Sequence, residues 1–483
     1  MGFEKLTERL KNPENAGQEP KAFIYQLPEQ IAERLTPAEK EALEKLTKVS
    51  DYVQALSESH ENEHRFFETL PEDQVQEMAK LNPEVISKWT FVEAKGDQII
   101  TVPYNQKFTD LNKKVSEILR SIPKIKQQGN YRLPPAIRFQ TLAEGFTSNA
   151  WQYAEKTWLD EPWQARGVEF IIGPIETHLD GYKGAFQAVV GVIDEEATRE
   201  MTDTIIAASK LQHKKQISKI DVRVIHLVAN AGLGLKLGFN AQALPNDPKM
   251  VEKYGSRIVF YANLFEQTFD EKLLPIIQRV FEKNVVERFS NGSHKLLRSA
   301  ALKWLAMHEE SHPMNQEPGL EEKLGKFFNT FHELHCDVSA LYLSSLLREH
   351  NLISSDEFEA ILLTHFARKL NDIFISEFEE GGKSNPYAEG SKMEFNYMAS
   401  MVDFIPESGE LDLERESEII QKINDLMGIF NYFAASQDVA REEIEALFKK
   451  YAEMGHYKFA ASKLRDLYIK NDNSYASTVS VPV

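Results

Sequence analysis

The chain has 483 residues, 42% hydrophobic and 27% charged, with 74 acidic against 56 basic side chains and a net charge of −18. That length suits two or three ordinary domains or one large two-lobed enzyme, and the negative balance argues against nucleic acid as a partner, because phosphate repulsion would oppose binding. The single cysteine, Cys336, permits no intrachain disulfide, which fits a reducing compartment. Met1-Gly2-Phe3-Glu4-Lys5 lacks the apolar core of a signal peptide, and no run approaches the roughly 20 apolar residues of a bilayer span. The expectation is a cytoplasmic protein with no membrane partner.

Residues 1–92 are polar and helical in pattern. Thr36-Pro37-Ala38-Glu39 reads as a helix start, with Thr as cap, Pro in the first turn and Glu at the third position. Leu70-Pro71-Glu72-Asp73 and Asn82-Pro83-Glu84 punctuate further short helices, and Asp97 to Val102 reads as a strand. Pro134 to about Leu159 has helical periodicity through Ile137, Leu142, Phe146 and Trp151.

The middle of the chain changes character. Val168 to Ile172 and Phe186 to Val192 are β-type runs flanking a Gly-containing connection, and they could pair. Asp221 to Val228 and Ile258 to Tyr261 are further β-type runs, Asp194 to Leu211 is a helix capped by Asp194, and Asn246-Asp247-Pro248 marks a loop. From about Leu264 the chain reads as almost all helix. Phe327, Phe331, Leu334, Val338 and Leu341 form an apolar stripe at helical spacing, with Glu333 and Asp337 together near its border. Glu379 to Pro386 breaks the pattern, and Asn471 to Val483 reads as a tail.

The chemistry concentrates in His308-Glu309-Glu310-Ser311-His312 and, a helix-length gap later, Glu333-Leu334-His335-Cys336-Asp337. Histidines four apart share a helix face, so both can offer a ring nitrogen to one metal. Hydrolytic zinc takes three protein ligands and keeps one position for water. His308, His312 and Glu333 make that set, with His332 and His335 as possible substitutes for Glu333. Glu309 is placed to take a proton from water as general base. Asp337, one turn beyond Glu333, is placed to accept from the unliganded nitrogen of a ligand histidine. Cys336 is read as a small buried residue.

The run Gly167 to Asp180, GVEFIIGPIETHLD, with Gly181 to Ala188 after it, resembles the dipeptidyl peptidase III family of zinc peptidases. The likeness is closest to its short bacterial-type relatives, which also occur fused to Nudix domains in plants. Their shorter HExxH and ExxxD segments look like His308 to His312 and Glu333 to Asp337. The likeness spans about residues 105 to 405. It implies an α+β, two-lobed, zincin-like fold with a wide cleft, a mostly helical zinc lobe and a lower lobe holding a small β-barrel-like sheet. It implies one Zn2+ per chain and release of dipeptides from short peptide substrates. Glu176 matches the family's amine-binding Glu, and Asn240 and Asn246 match residues that bond the substrate backbone.

Three positions depart from the family pattern. His178 stands where a tyrosine stabilises the oxyanion, and its ring can still donate a hydrogen bond. Gln187 replaces a second amine-binding Glu and pairs less strongly with an ammonium. Tyr387-Ala388-Glu389-Gly390 precedes Glu394-Phe395-Asn396-Tyr397 where the relatives carry Ala-His-Gly, and His365 reads as a helix-surface residue. These changes spare the metal set and point to an altered substrate. The competing readings are a zinc hydrolase with a non-dipeptidyl substrate and a metal-stabilised binding protein without turnover. The expected organisation is 1–194 lower lobe, 195–225 upper-lobe helix, 226–262 lower-lobe strands and substrate loop, 263–440 helical zinc lobe, 441–470 C-terminal helices and 471–483 tail.

Overall fold

The computed structural model describes residues 21–63, 72–95, 98–124, 133–162, 166–176, 182–211, 220–238, 240–245, 248–281, 289, 294–315, 317, 319–378, 386–401, 416–436 and 439–469. After a short strand β1 (Phe23–Ile24), the helix start at Thr36 forms as its residue types dictate. The Thr36 amide and hydroxyl both donate to Glu39 Oε2, at 2.8 and 2.7 Å, and the Glu39 amide donates back to Thr36 Oγ1 at 3.3 Å. This reciprocal cap opens helix α1 (Pro37–Glu63). Its buried stripe of Ala42, Leu46, Val49, Val53 and Leu56 repeats at three and four residues and lies on the sheet.

The strand expected from Asp97 is half of a hairpin, β2 (Thr90–Lys95) with β3 (Gln98–Pro103), in which Lys95 opposes Gln98. Helix α2 (Thr109–Ser121) follows. The periodic stretch from Pro134 is two helices, α3 (Ala136–Ser148) and α4 (Trp151–Leu159). Asn149 ends α3 in the left-handed region, at φ 59°, a conformation asparagine adopts more readily than most residues. The Trp151 ring then folds over Gly145, where an added Cβ would stand 2.7 Å from it.

The two β-type runs do pair. Strand β4 (Gly167–Glu176) lies antiparallel to β5 (Ala185–Ile193), and β5 to β6 (Ile220–Gly232). Strand β7 (Ala241–Leu244) lies antiparallel to β8 (Ser256–Tyr261), and β8 is parallel to β6. The order is β4-β5-β6-β8-β7, with β1 on the far half of β6. Among the described residues the sheet is mixed, with β4 and β7 at the two ends of this order, and it is not a closed barrel. All of β5 is buried: Ala188, Val190 and Val192 join the cluster beneath α1, while Val189 and Ile193 face the opposite side. The expected division at 225/226 falls inside β6.

Buried charges cross the sheet. Arg138 Nη1 lies 3.0 Å from Glu161 Oε2 and its Nη2 bonds Glu169, Arg223 bonds Glu169, and Arg257 Nη2 lies 2.7 Å from Asp221 Oδ2. Three guanidinium groups thus neutralise three carboxylates, the condition for keeping such groups out of water.

Helix α5 (Glu195–Leu211) starts where Asp194 Oδ1 accepts from the Ala197 amide at 3.0 Å. It packs on β6 and touches the helical half of the molecule, α6 (Lys295–Met314) and α7 (Phe328–Glu349). Then come α8 (Ser355–Phe378), α9 (Pro386–Met401), α10 (Glu416–Ala435), α11 (Arg441–Ala452) and α12 (Lys458–Ile469). Helix α6 lies between α7 and α8 and also meets β7 and β8. The stripe on α7 is buried at Phe331, Leu334, Val338 and Leu341, which fixes the rotation of that helix.

Candidate metal centre

Leu297, Ala301, Trp304 and Leu305 bury one side of α6 in the largest apolar cluster, and that packing turns His308 and His312 toward α7. Their Nε2 atoms are 3.2 Å apart. Glu333 Oε2 on α7 lies 3.6 Å from His308 Nε2 and 4.0 Å from His312 Nε2. Donors about 2.0–2.2 Å from a tetrahedral zinc stand roughly 3.4 Å from one another, so this donor set fits zinc. The His308 side chain is 6% exposed, whereas those of His312 and Glu333 are 22% and 26% exposed. The group is therefore closed behind His308 and open on one side. Glu309 is half-buried between the two histidines in sequence.

The two histidines have different neighbours behind them. His308 Nδ1 is 2.8 Å from Asp337 Oδ1. Burial opposes charge on His308, but the Asp337 carboxylate outweighs it and raises the imidazole above its ordinary value. His312 Nδ1 faces His332 Nε2 at 3.3 Å and Cys336 Sγ at 3.5 Å. Burial, with His308 alongside, pushes His312 down to about 3, so it is a neutral donor near pH 7. His332, which stacks on Phe328 with ring centres 5.1 Å apart, is likewise driven down to about 4 by burial and by His312.

Of the three candidates for third ligand, Glu333 is the one that converges with His308 and His312. His332 sits behind His312 and forms with it and Cys336 a second close group of donor atoms. His335 is buried against Phe430 and Phe331, with ring centres 5.6 and 5.8 Å away. Cys336 is buried as expected, and burial raises its thiol well above the ordinary value.

Asp337 is itself held from behind. Lys369 on α8 bonds its Oδ2, and the same ammonium lies 3.3 Å from Glu394 Oε2 on α9. Glu394 Oε1 is 3.0 Å from His365 Nε2. The expectation of a surface His365 is therefore corrected: it is 1% exposed, because its face of α8 packs against α6 and α9. Glu394 lies in the run already singled out, but Lys369 carries no sequence signal that separates it from a solvated lysine.

The remaining expected residues are more dispersed. Glu176 ends β4 opposite Ala185, and its side chain lies outside the described residues, as do His178 and Asn246. Gln187 is fully buried. Its amide faces that of Gln242 on β7, with reciprocal bonds of 3.3 and 3.4 Å, and the Tyr261 hydroxyl donates to Gln242. Asn240 precedes β7, the strand that packs on α6, and its Oδ1 accepts from Thr268 Oγ1 at 3.1 Å. Glu389 on α9 has Lys392 Nζ 3.6 Å away and lines a cavity with Thr330 and Tyr457, apart from the donor atoms.

The helical half presents two histidines and a glutamate beside a mixed sheet, and comparison with solved structures identifies the fold. The structure of dipeptidyl peptidase III from Caldithrix abyssi superposes with a TM-score of 0.73 at 17% identity, covering 93% of this chain and 96% of that one. Dipeptidyl peptidase III from Corallococcus sp. strain EGB gives 0.66 at 19%, covering 92% and 96%. The chain has the dipeptidyl peptidase III fold. Among curated proteins, Nudix hydrolase 3 of Arabidopsis thaliana is 24% identical over 327 residues, which are 64% of this chain and 40% of that protein. No family model matches the chain. Among the described residues, no helix is long and apolar enough to cross a membrane.

Proposed function

We propose that this protein is a zinc-dependent metallopeptidase acting on short peptides, of dipeptidyl peptidase III type. The observation that carries the reading is the convergence of His308 Nε2, His312 Nε2 and Glu333 Oε2, with Asp337 behind His308. These three residues would hold one zinc. When bound, it would polarise the scissile carbonyl and make water acidic enough to attack near neutral pH.

The chain's own residues supply the rest. Asp337 keeps the proton of His308 on Nδ1 and so presents Nε2 as donor. Glu309 takes the proton of the attacking water and returns it to the leaving amine. His178 donates to the developing oxyanion. Glu176 anchors the substrate's free amine, and Asn240 and Asn246 bond the substrate backbone. The Nudix name does not extend to this chain on a match that spans 40% of that relative.

Gln187 favours a second reading, a zinc hydrolase with diverged substrate preference. Its amide is neutral and engaged with Gln242, so the second anchor for an ammonium is weak. Metal analysis with a panel of dipeptidyl arylamides and longer peptides tests both. About one zinc per chain with dipeptide release, lost in Glu309→Ala, supports the first reading. Zinc with no cleavage of any peptide removes it and leaves the second.

A further inference from the structure

The contacts behind the metal donors close on themselves. From His308 they run to Asp337, to Lys369, to Glu394 and to His365. The His365 ring then meets Trp304, with centres 5.1 Å apart, and Trp304 meets His308 at 5.4 Å. Four helices contribute: α6 gives His308 and Trp304, α7 gives Asp337, α8 gives His365 and Lys369, and α9 gives Glu394. Lys369 is 2% exposed and Glu394 is fully buried.

A lysine so placed gives little stability for what its desolvation costs. An apolar side chain of similar volume often serves packing as well or better. What an apolar chain could not do is hold a carboxylate in one orientation. Asp337 has two oxygens, and Lys369 takes Oδ2 while Oδ1 faces His308 Nδ1. Glu394 sets where the ammonium sits, and His365 sets Glu394.

We infer that Lys369 is a positioning residue for the metal centre, locking the Asp337 carboxylate as the acceptor of His308 Nδ1 so that His308 Nε2 is aimed at the metal. The inference rests on the zinc reading above and extends it to a third layer of residues. It requires Lys369 to act through Asp337 and not through general packing.

The test is a double-mutant cycle on the full chain, Lys369→Met, Asp337→Asn and both, with zinc affinity read by chelator competition and folding by melting temperature. Removing such an outer partner costs about 10–100-fold in metal affinity, and that loss is expected for each single variant. The double variant is expected to bind zinc no more weakly than Asp337→Asn alone, since the carboxylate that Lys369 orients is then already gone. Lys369→Met with wild-type affinity, or losses that multiply in the double variant, overturns the inference while leaving the zinc reading standing. A wild-type chain that binds no zinc overturns the zinc reading, and the inference with it. Should Lys369→Met not fold, Asp337→Asn against the double variant carries the comparison, because the double variant removes opposite charges together. Equal affinity there supports the inference, and a further loss overturns it.

Discussion

His308 Nδ1 and Asp337 Oδ1 stand 2.8 Å apart across two helices. In the proposed zinc site this contact would hold the proton of His308 on Nδ1 and leave Nε2, 3.2 Å from the Nε2 of His312, for the metal. Glu309, next to His308 in the chain, is the proposed general base. Glu309→Ala is expected to lower kcat on a peptide substrate by about 10²–10⁴-fold, with zinc content unchanged by elemental analysis. Equal loss of zinc and of activity would show that Glu309 acts as a ligand.

The donor set spans α6 and α7, so a zinc held as proposed would tie the two helices together. Stripping the protein with a chelator should lower its melting temperature, and zinc should restore it. Free zinc at about 100 times Kd adds roughly 2.7 kcal/mol to a state that alone binds it. Glu333→Ala should abolish most of that zinc-dependent shift in a calorimetric scan. His335→Ala should keep the shift, though at lower stability, because His335 packs against Phe331 and Phe430.

Gln187→Glu is the natural attempt to install a second anchor for a substrate amine. The site is fully buried and faces the Gln242 amide. A carboxylate there pays for desolvation and keeps at best one of the two reciprocal amide bonds. The variant should therefore be less stable by about 1–3 kcal/mol, and the loss should shrink at acid pH as the new carboxyl takes up a proton. Unchanged stability at pH 8, measured by urea unfolding, would contradict this.

Acid stability depends on the charges beneath the sheet. Burial alone would raise the Glu169 carboxyl, but Arg138 and Arg223 overcome it and hold it down at about 2, against about 4.3 in an unfolded chain. The unfolded state thus binds the proton first. Stability from this group is complete above about pH 4.5 and is lost as pH falls toward 2. Burial raises Glu161, which titrates in the opposite sense, so wild type and variant must be compared directly. Glu169→Gln should cost about 3–5 kcal/mol near pH 7, as for a broken buried pair, and its stability should fall less steeply between pH 4.5 and 2. An acid limb as steep as that of wild type would rule this assignment out.

Much of the local structure was legible in the residues. The Thr36 to Glu39 cap, the Asp194 cap, the pairing of β4 with β5 and the helical placement of His308, Glu309 and His312 follow from short-range rules. Each depends on spacings of four residues or fewer, or on strands joined by one connection. The split of the Pro134 stretch at Asn149 was not legible, since the periodicity runs through it and only the left-handed residue marks the break.

The chain by itself determined which residue types a metal could use and on which helix face they lie. Hydrophobic spacing sets that face, and the donors are carried with it. The tertiary structure alone decided what stands behind those donors. Lys369 is 32 residues from Asp337, and His365 is 29 from Glu394, and no local rule brings them together. Tertiary packing also took His365 off the surface and gave Gln187 an amide partner from β7. Burial of a charge is costly unless a partner arrives from elsewhere in the chain, and which partner arrives is settled only when the helices have packed.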